Sequence, residues 1–475
     1  MSKRQRRRVR KQRRHEGSRE RHLGRSLTAG AGVTVGATLL MGGAAQAACT
    51  CTVDSILDPT EASHTTLRDA ITSANANPGS TITFGSGVTG TIELASNLPA
   101  ITQPTTISGP GAGQLAVSGK AAYRVFYVDT AAGADVSISG LTIANGFTAG
   151  KGGGVYSKAA DLTLDHTVVS DSHGGDGGGG VSVRGGSLTV RSSTISGNDG
   201  ARGAGVYAVS GADSMVQTVT MIRNSTISGN TGSDYGGGVY FDYSAPGTLE
   251  NSTVYDNSAS KAGGGVFHHG RLLLGPGLTI TGSTITRNDA SHRGGGVASK
   301  GTPGETQPRI RDTIVSDNTS GDDGADISAY SGSMDVGFSL IGSPDPATSI
   351  HQLGPNLIGV DPQLTSLADF GGPTKTQKPA ATSPVIDAGS AFSLTSDQRG
   401  LVRPFDAPTI PGTAGGDGSD IGAVELQSGD VSPAPPTPAA PGSAAPTKKK
   451  CKKAKKKRSA ERAKKKGCKK KKKKG

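Results

Sequence analysis

Between residues 137 and 330 the chain alternates small polar and aliphatic residues in short runs, and one pattern of runs keeps returning. It reads LTIANG then GGGVY, TVVSDS then GGGGVS, STISGN then GAGVY, STISGN then GGGVY, STVYDN then GGGVF, STITRN then GGGVA, and TIVSDN then GADIS. The aliphatic residue after the glycines falls at Val155, Val181, Val206, Val239, Val266, Val297 and Ile327, giving repeat lengths of 26, 25, 33, 27, 31 and 30 residues. Asn198, Asn230, Asn257, Asn288 and Asn318 keep step, each eight or nine residues before its aliphatic partner.

A repeat of this size predicts a solenoid, because one unit cannot bury its apolar face until a neighbour stacks on it. The runs have the period of strands, and none has helical apolar spacing. Propeller blades are usually longer, and the leucine framework of leucine-rich repeats is missing. The reading is therefore all-β: a right-handed parallel β-helix of ten to twelve coils, about 50 Å long at the cross-strand spacing. Like residues of successive coils then form columns. The five asparagines predict an inward amide ladder, each side chain bonding the next turn. A run such as Gly236, Gly237 and Gly238 predicts a tight corner that uses positive φ.

Two further columns carry candidate chemistry. Tyr156, Tyr207, Tyr240 and Phe267 directly follow the inward aliphatic position, so the two-residue period sends them to an outer face. Such a stack is either a platform for sugar rings or structural self-stacking. Five residues before the aliphatic position stand Asp176, Asp234, Lys261, His292 and Asp322, with Arg202 one place off. Stacking sets Asp234 beside Lys261 and His292 beside Asp322. That column reads either as an acidic and basic groove for a uronic-acid polymer or as charge alternation that discourages lateral strand pairing. No set of three or four carboxylates recurs within two coils, so no catalytic, cofactor or metal site is assigned.

The ends of the chain differ from its middle. Residues 1–25 hold twelve Lys or Arg, and the apolar, uncharged stretch that follows closes on Ala45-Gln46-Ala47. This predicts a secretory signal peptide over 1–47. A basic arm with a membrane anchor fits less well because of the glycines, and a lipid-modified Cys49 less well because of Gln46. Residues 429–447 are a Pro, Ala and Ser linker, and 448–475 hold nineteen Lys or Arg against Glu461 alone. With both basic ends set aside, the body holds 20 basic against 35 acidic residues, so an acidic solenoid carries a polycationic, disordered tail. Such a tail seeks anionic wall polymer, acidic polysaccharide or anionic lipid, and no specific nucleic acid, since it lacks aromatic residues to stack on bases. Cys49 and Cys51 are not expected to bridge each other. A disulfide to Cys451 or Cys468, or between molecules, stays open.

Several stretches resemble known families. The TISGN and GGGVY pair resembles the FxxN and GGA[ILV] repeats of polymorphic outer membrane proteins, bacterial adhesins with β-helical passengers, with Thr or Ser where that family has Phe. Thr66-Leu67-Arg68-Asp69-Ala70-Ile71 resembles the CSLREAI domain of secreted β-helix proteins, with Thr65 at its namesake cysteine. In the residues themselves, Leu67, Ala70, Ile71 and Ala74 predict an amphipathic helix within an N-terminal cap over 48–80, ahead of coils over 81–330. Asp361-Pro362-Gln363-Leu364, Ser383-Pro384-Val385-Ile386-Asp387-Ala388-Gly389, Asp397-Gln398-Arg399-Gly400 and Asp420-Ile421-Gly422-Ala423-Val424-Glu425 resemble the choice-of-anchor Q domain. That resemblance implies a C-terminal cap over 331–428 and a protein held at the envelope. Asp387, Asp397, Arg399, Arg403 and Asp420 are then pairs within the cap. Together these readings point to a secreted, envelope-associated, non-catalytic binding or adhesin-like protein that meets a glycan or matrix protein on its coils. A β-helical polysaccharide lyase or hydrolase is the alternative.

Overall fold

A computed structural model describes residues 47–430 except 211–217, 244, 271–276, 302–306, 323, 331 and 409. The expected signal peptide, the linker beyond residue 430, the Lys-rich tail, Cys451 and Cys468 lie outside the described residues.

Four parallel sheets make up the molecule, two of them along its length and two along the repeat region, where each coil contributes one short strand to each in turn. Sheet I has 12 strands, from Thr50–Val53 to Ser349–Gln352, and sheet II has 11, from Gly90–Glu93 to Leu357–Ile358. Sheet III has 7 two-residue strands and sheet IV has 8 strands, ending at Ile327–Ala329. The protein is a parallel β-helix. In sheet IV, Val155, Val181, Val206, Val239, Val266, Val297 and Ile327 pair in unbroken register. Leu164, Val190, Ile222, Leu249, Ile280, Ile310 and Val336 do the same in sheet I, and Ile143 through Ile341 in sheet II. These columns form one core, almost every member fully buried. Each aliphatic side chain so buried stabilises the fold by about 1.5–3 kcal/mol.

Two polar ladders line the bends. The backbone N–H and side-chain Nδ2 of Asn198 both donate to Asn230 Oδ1, at 3.0 and 2.9 Å, and the same pair of bonds links Asn230 to Asn257, Asn257 to Asn288, and Asn288 to Asn318. Asn318 donates in the same way to Asp326, which ends the series. A second ladder runs five residues earlier. There the backbone N–H groups of Ser193, Ser225, Ser252, Ser283 and Thr313 donate to the hydroxyls of Ser225, Ser252, Ser283, Thr313 and Ser339. Both ladders satisfy bend N–H groups that would otherwise be buried without a partner. A left-handed residue precedes each rung, as at Asn224, Asn251 and Asp256, and turns the chain from one sheet to the next.

Three expectations need correction. Cys49 and Cys51 are bonded to each other, with Cα atoms 5.7 Å apart. They lie on one side of the entry into the first strand, within the range a disulfide spans. The coils begin earlier and end later than 81–330, since Thr50–Val53 is already the first strand of sheet I and Leu357–Ile358 the last of sheet II. Residues 361–430 do not cap the C-terminal end. They run back along the outer face of sheet II as a strap, where Thr226 donates to Lys375 O, Thr253 to Gln398 Oε1, and Thr284 accepts from Ala423 N–H. The reason lies in that outer face, whose Ile314 and Leu340 pack with Val385, Ala388 and Ile421 of the strap. The N-terminal end is closed by the helix Leu67–Ala76, which buries Leu67, Ala70, Ile71 and Ala74 and starts on a capping box of Thr66 and Asp69.

Candidate functional site

The aromatic column does leave sheet IV on its outer side, but it is covered. Tyr207 is 4% exposed, Tyr240 3% and Phe267 1%, so the expectation of an exposed stripe at these three residues is corrected. The cover is the glycine corner of the repeat. A Cβ on Gly236 would stand 2.9 Å from Tyr240 Cβ, and the chain there has φ +66°. Gly238 is needed for a different reason, because its Cβ would meet Gly265 O of the next coil at 2.5 Å. The corner therefore runs against the base of the Tyr240 side chain. Tyr207, Tyr240 and Phe267, with Ala262 and Ala298, form a second apolar cluster outside the main core. Tyr240 and Phe267 stack at 5.2 Å and 17°, and Tyr235 lies against Phe267 at 4.6 Å.

The charged column runs along the edge of this cluster. Asp234 is held between Arg202 Nε at 3.0 Å and Lys261 Nζ at 2.6 Å, one coil on either side. His292 stands 3.5 Å from Asp322. Burial is the largest influence on Arg202 and works against its charge, but the hydrogen bond to Asp234 and the charge interactions with Tyr240, Tyr207 and Asp234 together outweigh it and raise the pKa. Asp234 likewise raises the pKa of Lys261. Lys261 also lies 5.0 Å above the Tyr235 ring, and Arg293 5.5 Å above that of Tyr330. Tyr235 is half-buried and Tyr330 is 36% exposed, so these two rings, each with a cation over it, are the parts of the aromatic cluster that reach the surface.

Two positions beyond Tyr207, Tyr240, Phe267 and Ala298 lies a column that sequence reasoning missed: Val209, Asp242, His269 and Lys300 in consecutive coils. Asp242 is buried. It accepts from Tyr207 Oη at 3.2 Å and from Tyr240 Oη at 3.3 Å, and His269 Nδ1 lies 3.2 Å from it. Burial, with Asp242 alongside, pushes both phenols well above their ordinary range. Arg202, Tyr235, Tyr240, Asp242, Phe267, His269 and Lys300 enclose a hollow of about 140 Å³. The only signal for this column was its alignment, since its residue type changes in every copy. Around this small concavity stand the half-buried Tyr235 ring, the His269 imidazole and two long cations, Arg202 and Lys300, above the buried Tyr240, Phe267 and Asp242.

Other hollows are larger but chemically plainer. One of about 510 Å³ lies over Asp256, Arg287, Asp289, Asp317 and Thr319, with no aromatic wall. Another of about 350 Å³ lies where the strap leaves Thr194, Ser196, Thr226 and Ser228 of sheet II. The acids and arginines of the strap form a closed network instead of a cleft. Arg403, without solvent contact, reaches Glu425 at 2.8 Å and Asp312 of the coils at 3.3 Å, and Arg399 pairs with Asp397 at 2.8 Å. Asp420 accepts the N–H groups of Asp387 and Leu426, and Asp387 that of Ala407. Burial pushes Asp420 up to about 8 and carries Asp312 well above its usual value. None of these groups can meet a substrate. Among the described residues no group of three or more His, Cys, Asp or Glu is placed to hold a metal, and no helix is long and apolar enough to cross a membrane.

No curated protein matches the chain. Among solved structures, pectate lyase Pel9A is similar at 14% identity and a TM-score of 0.45, over 80% of this chain and 97% of that one. Residues 125–339 match the family model for the right handed beta helix region. That stretch holds the repeated coils and the whole of the hollow, and it is a right-handed β-helix region.

Proposed function

We propose that this is a secreted, envelope-associated, non-catalytic glycan-binding protein, adhesin-like in that its coils hold a binding site away from a basic anchor. The observation that carries the reading is the hollow beside Asp242, which combines aromatic surface with directional polar groups, the combination that seats a sugar ring. Binding without cleavage is supported by the state of its acids and bases. Asp234 is neutralised by two cations, and Tyr207 and Tyr240 keep their protons at neutral pH while donating them to Asp242. The basic leader, the Lys-rich tail and the resemblances to the CSLREAI, polymorphic outer membrane protein and choice-of-anchor Q families support export and retention. The tail is the retention device, drawn to anionic wall polymer, acidic polysaccharide or anionic lipid.

The test is a panel of neutral and acidic oligosaccharides and matrix proteins, screened against the full chain, with release of unsaturated or reducing ends followed in parallel. Binding without release of new ends is the expected result. Turnover of an acidic polysaccharide, or silence across the glycans, would overturn the reading.

A further inference from the structure

Around the aromatic cluster the cations and the acids lie at different depths. Arg202, Lys261 and Arg293 keep 44%, 50% and 39% of their side chains exposed, while the carboxylates they face, Asp234 and Asp345, keep 18% and 5%. Asp242 keeps 4%, and its oxygens accept from Tyr207 and Tyr240. Lys300 is exposed, and among the described residues it has no carboxylate partner. The surface that a ligand meets is therefore positive, with the balancing acids beneath it.

Between its two basic ends the chain carries more acid than base, so this patch is a local reversal of sign. Such a reversal concentrates anions at one place on a body that otherwise repels them. The same cations stand over the two rings that reach the surface, Lys261 at 5.0 Å from the Tyr235 ring and Arg293 at 5.5 Å from that of Tyr330. A ligand that matches both features has an apolar ring face and carries negative charge. Resting on the glycan-binding reading above, we infer that the hollow selects an anionic sugar, its ring against Tyr235 and its carboxylate or sulfate on Lys300. Asp234 already holds Arg202 and Lys261, and Arg293 lies 3.8 Å from Asp345, so Lys300 is the group that discriminates. An anionic group takes a charge-assisted hydrogen bond from its ammonium, which a neutral sugar replaces with a weaker one.

Isothermal titration of the full chain tests this with matched pairs: uronate hexamers of manno, galacto and gluco configuration, each beside its methyl ester, and a sulfated glucan hexamer beside the unsulfated one. Each neutral twin keeps the rings and linkages and lacks the charge. For at least one pair the anionic member is expected to bind about tenfold tighter at near-physiological salt, with the advantage shrinking as salt rises. Whether a uronate or the sulfated glucan shows it identifies the anionic group. Lys300→Gln is expected to bring the anionic member down to the affinity of its twin, and Tyr235→Ala to weaken both members alike. Lys300 is exposed, so its variant should keep the parent melting temperature. The Lys-rich tail is present in every protein compared, and anion binding by the tail responds to neither substitution. Twins bound equally well by the parent would overturn the inference and leave glycan binding standing. A preference for the anion that survives Lys300→Gln would also overturn it, since the selection would then lie elsewhere in the chain. Silence toward every hexamer would overturn this inference together with the reading it rests on.

Discussion

Asn257 Oδ1 accepts two bonds from Asn230, the backbone N–H at 3.0 Å and the side-chain nitrogen at 2.8 Å, while Asn257 Nδ2 donates back to Ile227 O at 3.0 Å. One side chain thus ties two coils together with every polar atom used and none exposed. Asn257→Ala leaves two donors of Asn230 and one carbonyl buried without partners. The expected cost is about 3 kcal/mol, read as a lower urea midpoint. A loss below about 0.5 kcal/mol would mean that the ladder is ornamental.

The ladder ends on a carboxylate, and this gives stability a pH dependence. Burial raises Asp326 from 3.8 to about 6, against the bonds from Asn318 and Ser343 that lower it. Burial likewise raises Asp420 to about 8. In both cases the folded chain holds the proton more tightly than the unfolded one, so the stability these two groups contribute is greatest below about pH 4 and is lost as pH rises through 6 and then 8. Asp326→Asn removes the first part of that fall, on the order of 2 kcal/mol, although it also loses the bond from Ser343 N–H. Melting temperatures from pH 4 to 9 for parent and variant check this, and identical slopes between pH 4 and 6 would refute it.

Arg403 joins the strap to the coils through Glu425 and Asp312, all three without side-chain exposure. Arg403→Met leaves two buried carboxyls without their cation, a loss of about 3–5 kcal/mol. The strap is expected to come free first, so limited proteolysis should cut within residues 361–430 and leave the coils intact. Cleavage spread evenly through the chain would show that strap and coils unfold together.

Gly236 holds the corner against Tyr240. Gly236→Ala must accept φ +66° and a 2.7 Å contact with Val239 O, so a destabilisation of at least about 1 kcal/mol is expected. Near-ultraviolet circular dichroism should change as the rings shift. An unaltered spectrum and melting temperature would show that the corner does not hold the rings.

The period of the refrain was enough to place the aliphatic and asparagine columns, because stacking leaves a coil no choice of register once one side chain per turn must face inward. The serine ladder was written in the same refrain, as the Ser before Thr-Ile in STISGN, but a serine there looks like any other small polar strand residue. The outward direction of Tyr207, Tyr240 and Phe267 followed from the two-residue period. Their burial did not, because it depends on the path of the glycine corner, which has no side chains to signal where it lies. The strap was hidden for another reason. Its bonds join residues about 145–150 positions apart, such as Asn251 with Ser396 and Thr226 with Lys375, and no local pattern records such pairings. Asp242, His269 and Lys300 share a column but no residue type, so the repeat that revealed the fold concealed the site.

The central claim is that the hollow over the aromatic cluster seats a sugar. Isothermal titration of the parent and of Tyr235→Ala with an oligosaccharide bound by the parent tests it most directly, since Tyr235 lines the hollow while standing outside the stacked column of the core. The account predicts affinity weakened about tenfold or more, with the melting temperature held. Equal affinity in the two proteins would contradict it.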